Sequence, residues 1–485
     1  MSATKIQPRL VDALREVVGR DGVIAAPDDC LVYECDMLVY YKGVPDVVVL
    51  PRSVAEVLAV VRLVLDAGVP IVPRGSGTGL IGGAMAPRGG VMIGVNRMDR
   101  VLEVDLANRH AVVEPGVINL GLTRMVEGRG YFFAPDPSSQ MVSSIGGNAA
   151  TNAGGPHALK YGSTVNHVLG LELVTGRGEL LWLGGPVRER PGYDLTGVVV
   201  GSEGTLGVIT KVAVRLTRAG EAVKTALATF ASIEVASQAV SAIIAEGIIP
   251  AALEAMDEPV IRAVEAGIKA GYPTDAKAVL LIELDGPAAE VEVQAEAVAR
   301  ICQARGALSL RVAADDKERA LLWKGRKEAA GAFGRITHNY VLQDAVVPRS
   351  KLPEIMAQVQ AIAQSHGVMV ANVFHAGDGN LHPMICYDER VSGQFDAALA
   401  ASEAILDACI AVGGTVTGEH GVGMDKAQKL ARLFNADDLA AMAAVRRVFD
   451  PRLLMNPEKV FPSGAACPEV PRVGAGKPVP EGMWV

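Results

Sequence analysis

Two paired histidines and a later Glu-His dipeptide carry the most suggestive chemistry in this chain. The stretch Val373-Phe374-His375-Ala376-Gly377-Asp378-Gly379-Asn380-Leu381-His382-Pro383-Met384 sets Gly, Asp and Asn between apolar flanks. Those residues tolerate the dihedrals of a tight loop, so Gly377–Asn380 reads as the turn of a β-hairpin. This register puts Ala376 opposite Leu381 and His375 opposite His382, with Cβ atoms about 4.5–5.5 Å apart. Two imidazoles would then converge on one face, the start of a metal site that Glu419-His420 could complete. By itself, the hairpin also fits two exposed histidines.

Composition narrows the partners. The chain has 485 residues, of which 50% are hydrophobic and 21% charged, enough core for two or more domains. A net charge of −8 and an aromatic content of 4% argue against nucleic acid, which needs a basic footprint and stacking rings. Residues 1–22 mix Lys5, Arg9, Asp12, Arg15 and Glu16 with apolar residues and lack the uncharged core of a signal peptide. The most apolar stretch, about residues 233–256, is broken by Glu246, Gly247, Pro250 and Glu254, so no membrane span is expected. Cys30, Cys35, Cys302, Cys386, Cys409 and Cys467 are scattered with no C-x-x-C pair. That fits reduced thiols in a cytoplasmic protein and argues against an iron–sulfur cluster or structural zinc held by this chain alone.

The elements that must position these residues begin with a helix over 7–20. Val47–Leu50, a helix from Ser53 to about Asp66 with a Ser53/Glu56 capping box, and Pro70–Pro73 then form a βαβ unit. Arg74-Gly75-Ser76-Gly77-Thr78-Gly79-Leu80-Ile81-Gly82-Gly83 follows and satisfies G-x-G-x-x-G. A dinucleotide fingerprint must open a helix, however, and here the chain runs through Met85–Gly90 into the strand Val91–Val95. No H-R-D or D-F-G follows, as a kinase would require. What remains is a loop whose amides can surround a phosphate, with a plain tight turn as the other reading. Strands at Val101–Leu106 and Ala111–Glu114 and a helix near Leu120–Glu127 lead to the rigid turn Phe133–Ser139. Ser143–Gly155 has one large apolar side chain, Ile145, so it is expected to build no core. It can let a flat ligand lie against its backbone, with Ser, Thr and Asn as hydrogen-bond partners. Gly201–Thr210 closes this half.

From about residue 219 strands alternate with long helices. Strands are expected at Leu227–Phe230, Ala278–Leu284, Leu308–Val312 and Tyr340–Val346. Helices are expected at Ser232–Ala245, Pro287–Ala304, Lys317–Ala332, Ser350–Ser365 and 393–411. The expected organisation is a helical segment at 1–42, a ligand-binding domain at 43–219, a second domain at 220–461 and a Pro/Gly-rich tail at 462–485.

The three Gly-rich segments, Arg74–Gly83, Ser143–Gly155 and Gly201–Thr210, in this order resemble the FAD-binding domain of the vanillyl-alcohol-oxidase/p-cresol-methylhydroxylase (PCMH) superfamily. The second half is similar to the cap domain of FAD-linked 2-hydroxy-acid dehydrogenases, through Ile248-Ile249-Pro250, Met256-Asp257, Ala371-Asn372-Val373 and the two His motifs. That family includes D-lactate dehydrogenases, D-2-hydroxyglutarate dehydrogenases and the flavoprotein subunit of bacterial glycolate oxidase, the member this chain most resembles. The resemblance covers roughly residues 7–460.

It implies an α+β fold: a two-part PCMH-type FAD-binding domain, then a ferredoxin-like cap with a helical C-terminal segment that touches FAD. It implies non-covalent FAD, because no His lies in the 74–84 loop where flavinylated relatives carry their linkage. The residues carried over as FAD contacts are Arg74, Gly75, Ser76, Gly77, Thr78, Gly79, Pro135, Asp136, Ser139, Ser143, Gly146, Gly147, Asn148, Thr151, Asn152, Gly154, Gly155, Glu203, Gly204, Gly207, Val208, Ile209 and Asn456. His375, His382 and Glu419 are carried over as ligands of a divalent metal. Their chemistry suits Zn²⁺, with Mn²⁺ and Fe²⁺ as alternatives. His420 becomes the general base and a substrate contact, and Arg326 the partner of the substrate carboxylate. Arg326 also reads as a surface arginine, flanked as it is by Lys324 and Lys327.

Departures from the family pattern bear on the substrate. The 2-hydroxyglutarate enzymes have Thr, Lys and Asn where this chain has Ala330, Leu342 and Met384, which favours glycolate or D-lactate over a diacid. Glu458 stands where Gly is usual in Asn-Pro-Gly-Lys, leaving that turn open. The electron acceptor expected is a quinone, a soluble carrier or an iron–sulfur partner subunit. The protein is expected in a homodimer or hetero-oligomer, cytoplasmic or held at the inner membrane face by partners. Two other readings compete: a zinc hydrolase on the same three ligands, which leaves the Gly-rich segments unexplained, and a non-catalytic flavoprotein subunit.

Overall fold

The computed structural model describes residues 6–187 and 191–462; the expected tail lies almost wholly outside them. Ser53 Oγ accepts the Glu56 amide, and the Glu56 carboxylate reaches back to the Arg52 amide rather than to that of Ser53. The helix this cap starts, Val54–Asp66, buries Val57, Val60, Val61 and Val64, an i, i+3, i+4, i+7 stripe. The stripe packs on a four-stranded sheet of order Val23–Ile24, Val47–Val49, Val91–Gly94, Ile71–Arg74. The last two strands are parallel neighbours, and residues 75–90 between them contain no helix. The Gly-rich loop is thus a direct crossover, as expected once the dinucleotide fingerprint is set aside.

A second, antiparallel sheet follows in the order Val101–Asp105, His110–Val113, Gly207–Arg215, Val168–Thr175, Leu180–Gly184. Ser143–Gly155 departs from expectation by contributing to its core. Ser144 caps the short helix Ile145–Thr151, and Ile145 and Ala149 are fully buried with Leu171 and Val212. Gly146 makes this possible, because a Cβ there would meet the Pro115 Cβ at 2.5 Å.

The second half is built on a larger sheet. Its strands Ala222–Phe230, Ala252–Asp257, Ala278–Gly286 and Ser309–Val312 lie in the spatial order fourth, first, third, second, the ferredoxin-like arrangement. The sheet continues through Met369–His375 and the hairpin, and Asn339–Leu342 pairs with Pro383–Tyr387. Helices Ile233–Ala245, Ala288–Ala304, Leu352–Ser365 and Gln394–Ala411 cover one face, and Glu258–Gly267 and Asp316–Lys327 the other. The expected helix over Lys317–Ala332 breaks at Glu328, and Tyr340–Val346 divides into two short strands. Ala252–Asp257 and the helix after it were not expected.

The chain then returns to its beginning. Past the helix Ala436–Phe449, Met455 bridges to Ile71 in parallel, with Ile71 N donating to Leu454 O and Asn456 N to Ile71 O. Glu458 answers the open question about the last turn. It keeps a left-handed φ of +66° without being glycine and pairs with Arg88 at 2.5 Å.

Candidate active site

The hairpin forms one residue earlier than its composition suggests. Its turn is Ala376–Gly379, with Gly379 at φ +80°, and His375 pairs with Asn380 rather than with His382. The register slip is two residues, and side chains alternate with a period of two, so both imidazoles stay on one face. They meet as diagonal neighbours, edge to face, with ring centroids 5.2 Å apart.

Glu419 arrives from the loop after the helix Gln394–Ala411. Its Oε1 lies 3.2 Å from His375 Nε2 and 3.1 Å from His382 Nε2. Donor atoms about 2.0–2.2 Å from one ion sit about 3 Å from each other, so this spacing matches a shared ligand set. Two further observations fit a cation. Neither His382 nitrogen nor Glu419 Oε2 has a hydrogen-bond partner, although all three are buried. Burial also lowers the His382 pKa despite the neighbouring Glu419, keeping the imidazole neutral as a ligand must be.

The strand missing from the sequence reading supplies the support. Glu254 is the cross-strand partner of His375 and is fully buried. Both its oxygens lie 2.9 Å from His375 Nδ1, so this nitrogen donates to Glu254. Against burial, Glu254 and Glu419 together raise the His375 pKa, and an ion between Nε2 and Glu419 would take the place of the Nε2 proton. The same carboxylate pairs with Arg326 at 2.5 Å. Arg326 is 4% exposed, so it is no surface arginine, and its Nε is left without a partner.

A second carboxylate holds the Glu-His dipeptide. Asp344, also buried, accepts the Thr417 hydroxyl at 2.5 Å and the amides of Gly418, Glu419 and His420 at 3.0–3.3 Å. Burial alone would raise its carboxyl, but His420 and Lys426 outweigh it and hold it below the usual carboxylate range. His420 stacks on His382 with centroids 5.0 Å apart.

His375, His382, Glu419, His420 and Arg326 open into one cavity of about 460 Å³, which also takes in the Gly-rich segments, while Glu254 and Asp344 support them from behind its wall. Of the carried-over FAD contacts, Arg74 through Gly79, Ser139, Ser143, Gly146, Gly147, Asn148, Thr151, Gly154, Glu203, Gly204, Gly207, Val208 and Ile209 line it. The close backbone approach is real. A Cβ on Gly75 would meet Ser144 Oγ at 2.6 Å, and one on Gly154 would meet Glu419 Oε2 at 2.8 Å. Pro135, Asp136, Asn152, Gly155 and Asn456 stand outside the wall, where they hold structure instead. Pro135 O accepts from Asn119, and Asn152 Oδ1 accepts from Ser163 and Val165. Gly155 packs on the Asp136 carbonyl, and Asn456 Nδ2 donates to Gly83 O and Glu203 O. Asp136 holds the histidine that joins the two halves of the molecule. It accepts the His157 Nδ1 proton at 2.8 Å, while His157 Nε2 lies 3.2 Å from Glu283 of the second half. At the cap end the cavity wall carries the hydrocarbon of Ala330, Leu342, Val373 and Met384, with Tyr340 and Lys327 beside them.

A backbone-lined cavity against a carboxylate-supported His/His/Glu cluster can hold a flat cofactor beside a small polar molecule. Residues 45–184 match the FAD binding domain family and residues 220–460 the C-terminal domain of FAD linked oxidases. The chain belongs to the FAD-linked oxidase family. It is 44% identical to the glycolate oxidase subunit GlcD of Escherichia coli (strain K12) over 457 residues, 94% of this chain and 92% of that one. It is 31% identical to the D-lactate dehydrogenase of Anaerostipes hadrus, covering 94% of this chain and 98% of that one. Among solved structures, p-cresol methylhydroxylase aligns with a TM-score of 0.79 at 18% identity over 93% of this chain and 96% of that one, a likeness of fold. No helix among the described residues is long and apolar enough to cross a membrane.

Proposed function

We propose that this protein is an FAD-dependent dehydrogenase that oxidises a small 2-hydroxy acid, glycolate or D-lactate, to the 2-keto acid. The observation that carries the reading is that His420, Arg326 and the His375/His382/Glu419 cluster share one cavity with the Gly-rich segments. Bound FAD supplies the two-electron acceptor for the hydrogen on the α-carbon. A divalent ion held by His375, His382 and Glu419, Zn²⁺ by ligand type with Mn²⁺ or Fe²⁺ as alternatives, would acidify the substrate hydroxyl.

The remaining work falls to the chain's own groups. Arg326 keeps Nε free for the substrate carboxylate while Glu254 holds its terminal nitrogen. His420 takes the hydroxyl proton as general base. Ala330, Leu342, Val373 and Met384 line the cap end of the cavity with hydrocarbon, beside Tyr340 and Lys327. That hydrocarbon offers a second carboxylate no donor, so a diacid would have to reach Tyr340 or Lys327, which favours the smaller substrates. The six scattered cysteines supply no cluster, so electrons leave the flavin for a quinone, a soluble carrier or an iron–sulfur partner subunit. The names of the GlcD relatives, which call them subunits, favour a multi-subunit setting; its place in this reading is the cytoplasm or, through partners, the inner membrane face.

The test is anaerobic mixing of the yellow holoprotein with glycolate, D-lactate, L-lactate and D-2-hydroxyglutarate. Bleaching by glycolate or D-lactate, lost in His420→Ala, supports the reading. A flavin that none of the four bleaches, or that His420→Ala leaves fully reducible, defeats it.

A further inference from the structure

His420 belongs to the segment Thr417–Gly423, which is neither helix nor strand. Its place must therefore come from side chains that hold its backbone. Asp344 does this from within the second half. The other grip comes from the first half, across the cavity. Glu203 Oε1 accepts the Val422 amide and Oε2 the Gly423 amide, both at 2.7 Å. The residue is 6% exposed, and both oxygens are committed to this contact.

We propose that Glu203 is a positioning residue for the His420 loop, fixing the base relative to the flavin-binding walls. The proposal rests on the reading of His420 as base, and it moves Glu203 from the cofactor contacts to the catalytic loop.

Three features support it. Every polar group of Glu203 serves a different element. Its amide donates to Ala150 O at the helix Ile145–Thr151, its carbonyl accepts Asn456 Nδ2, and its carboxylate takes the loop. Glu203 also holds a left-handed φ of +54°, a conformation that residues with a Cβ rarely adopt. Finally, the loop is cut to fit. Gly421 has φ +92°, and a Cβ on it would meet Glu203 Oε1 at 2.6 Å. Two amide donors need two acceptor oxygens. Glutamine offers one, and its NH₂ would face an N–H.

The experiment uses the holoprotein. Glu203→Gln is compared with wild type for bound FAD, for the anaerobic flavin-reduction rate at saturating glycolate or D-lactate, and for amide exchange of Val422 and Gly423. The expected result is undiminished FAD, exchange of both amides at least about tenfold faster, and reduction about 10–100-fold slower, the cost of a misplaced group. Substrate dissociation constants should move far less than the rate. Gly421→Ala, which drives a methyl group against Glu203 Oε1 and displaces the loop while residue 203 keeps its carboxylate, should reproduce this pattern.

Reduction per bound flavin at the wild-type rate in either variant overturns the proposal. So does rapid exchange of the Val422 and Gly423 amides in the wild type, a measurement that depends on no variant folding. If His420→Ala leaves reduction intact, the base assignment fails. Faster loop exchange in Glu203→Gln would then still show the grip, separating the two claims.

Discussion

His157 joins the two halves of the molecule through a geometry that fixes its charge. Nδ1 faces Asp136 and Nε2 faces Glu283, and only an imidazolium can donate from both nitrogens at once. Burial works against that charge, but the two carboxylates outweigh it and push the His157 pKa up to about 10. The same pairing, against burial, draws Glu283 down to about 2. A histidine raised from 6.5 to about 10 stabilises the folded state by about 3–5 kcal/mol at 1.4 kcal/mol per pH unit. This contribution is full below pH 6.5, because only there is the unfolded imidazole also protonated. By pH 8 about half of it remains, and it is gone once pH passes about 10. The Glu283 contribution has the opposite sense, full above pH 4.5 and lost as pH falls through about 2.

His157→Gln should therefore lose stability relative to wild type most strongly at pH 5–6.5, with the gap closing steadily toward pH 10. Urea unfolding at half-unit pH steps, followed by flavin release and by far-UV dichroism, measures that gap. A difference below about 1 kcal/mol at pH 6, or one that stays flat to pH 10, would refute an interdomain imidazolium.

Other outcomes follow from the site. Glu254→Ala leaves the Arg326 guanidinium buried without its partner, an effect of about 3–5 kcal/mol on unfolding. Glu254→Gln, milder in stability, should cut affinity for a divalent ion about 10–100-fold, as metal analysis after chelator dialysis would show; an undiminished metal content would contradict the role given to Glu254. Arg326→Lys keeps the charge but loses the fork. Titration of the reduced enzyme with the substrate acid should give at least tenfold weaker binding with FAD retained. Gly75→Ala drives a methyl group into Ser144 Oγ at 2.6 Å, so the purified protein should carry little FAD while keeping its secondary structure.

What could be read from the sequence was what periodicity and turn chemistry encode. The rejection of the dinucleotide fingerprint held because a helix cannot hide between Pro87 and Val91. The hairpin was misplaced by one residue at its turn, yet its two histidines kept their common face, because the resulting slip was even. Glu254 was invisible for a different reason. Ala251-Ala252-Leu253-Glu254-Ala255-Met256 has neither alternation nor β-branched residues, and its strand forms only because Ala278–Gly286 and Met369–His375 pair with it on either side. The core role of Ile145 and Ala149 was missed because a Gly-rich stretch advertises backbone freedom, not the capped helix that Ser144 starts. Asp344 and the carboxylate role of Glu203 depend on contacts across 74–220 positions of sequence, which no local pattern encodes.

The return of the last segment to Ile71 has a mechanical consequence. The chain itself runs between the halves at two places on either side of the larger sheet, the connection near residue 219 and the return of Leu454–Asn456 to Ile71. A single proteolytic nick near residue 219 would leave the second anchor in place, so the parts would stay together. Separating the halves around the cavity would have to break the Glu203 and His157 contacts as well, while both tethers still kept the parts of one molecule together.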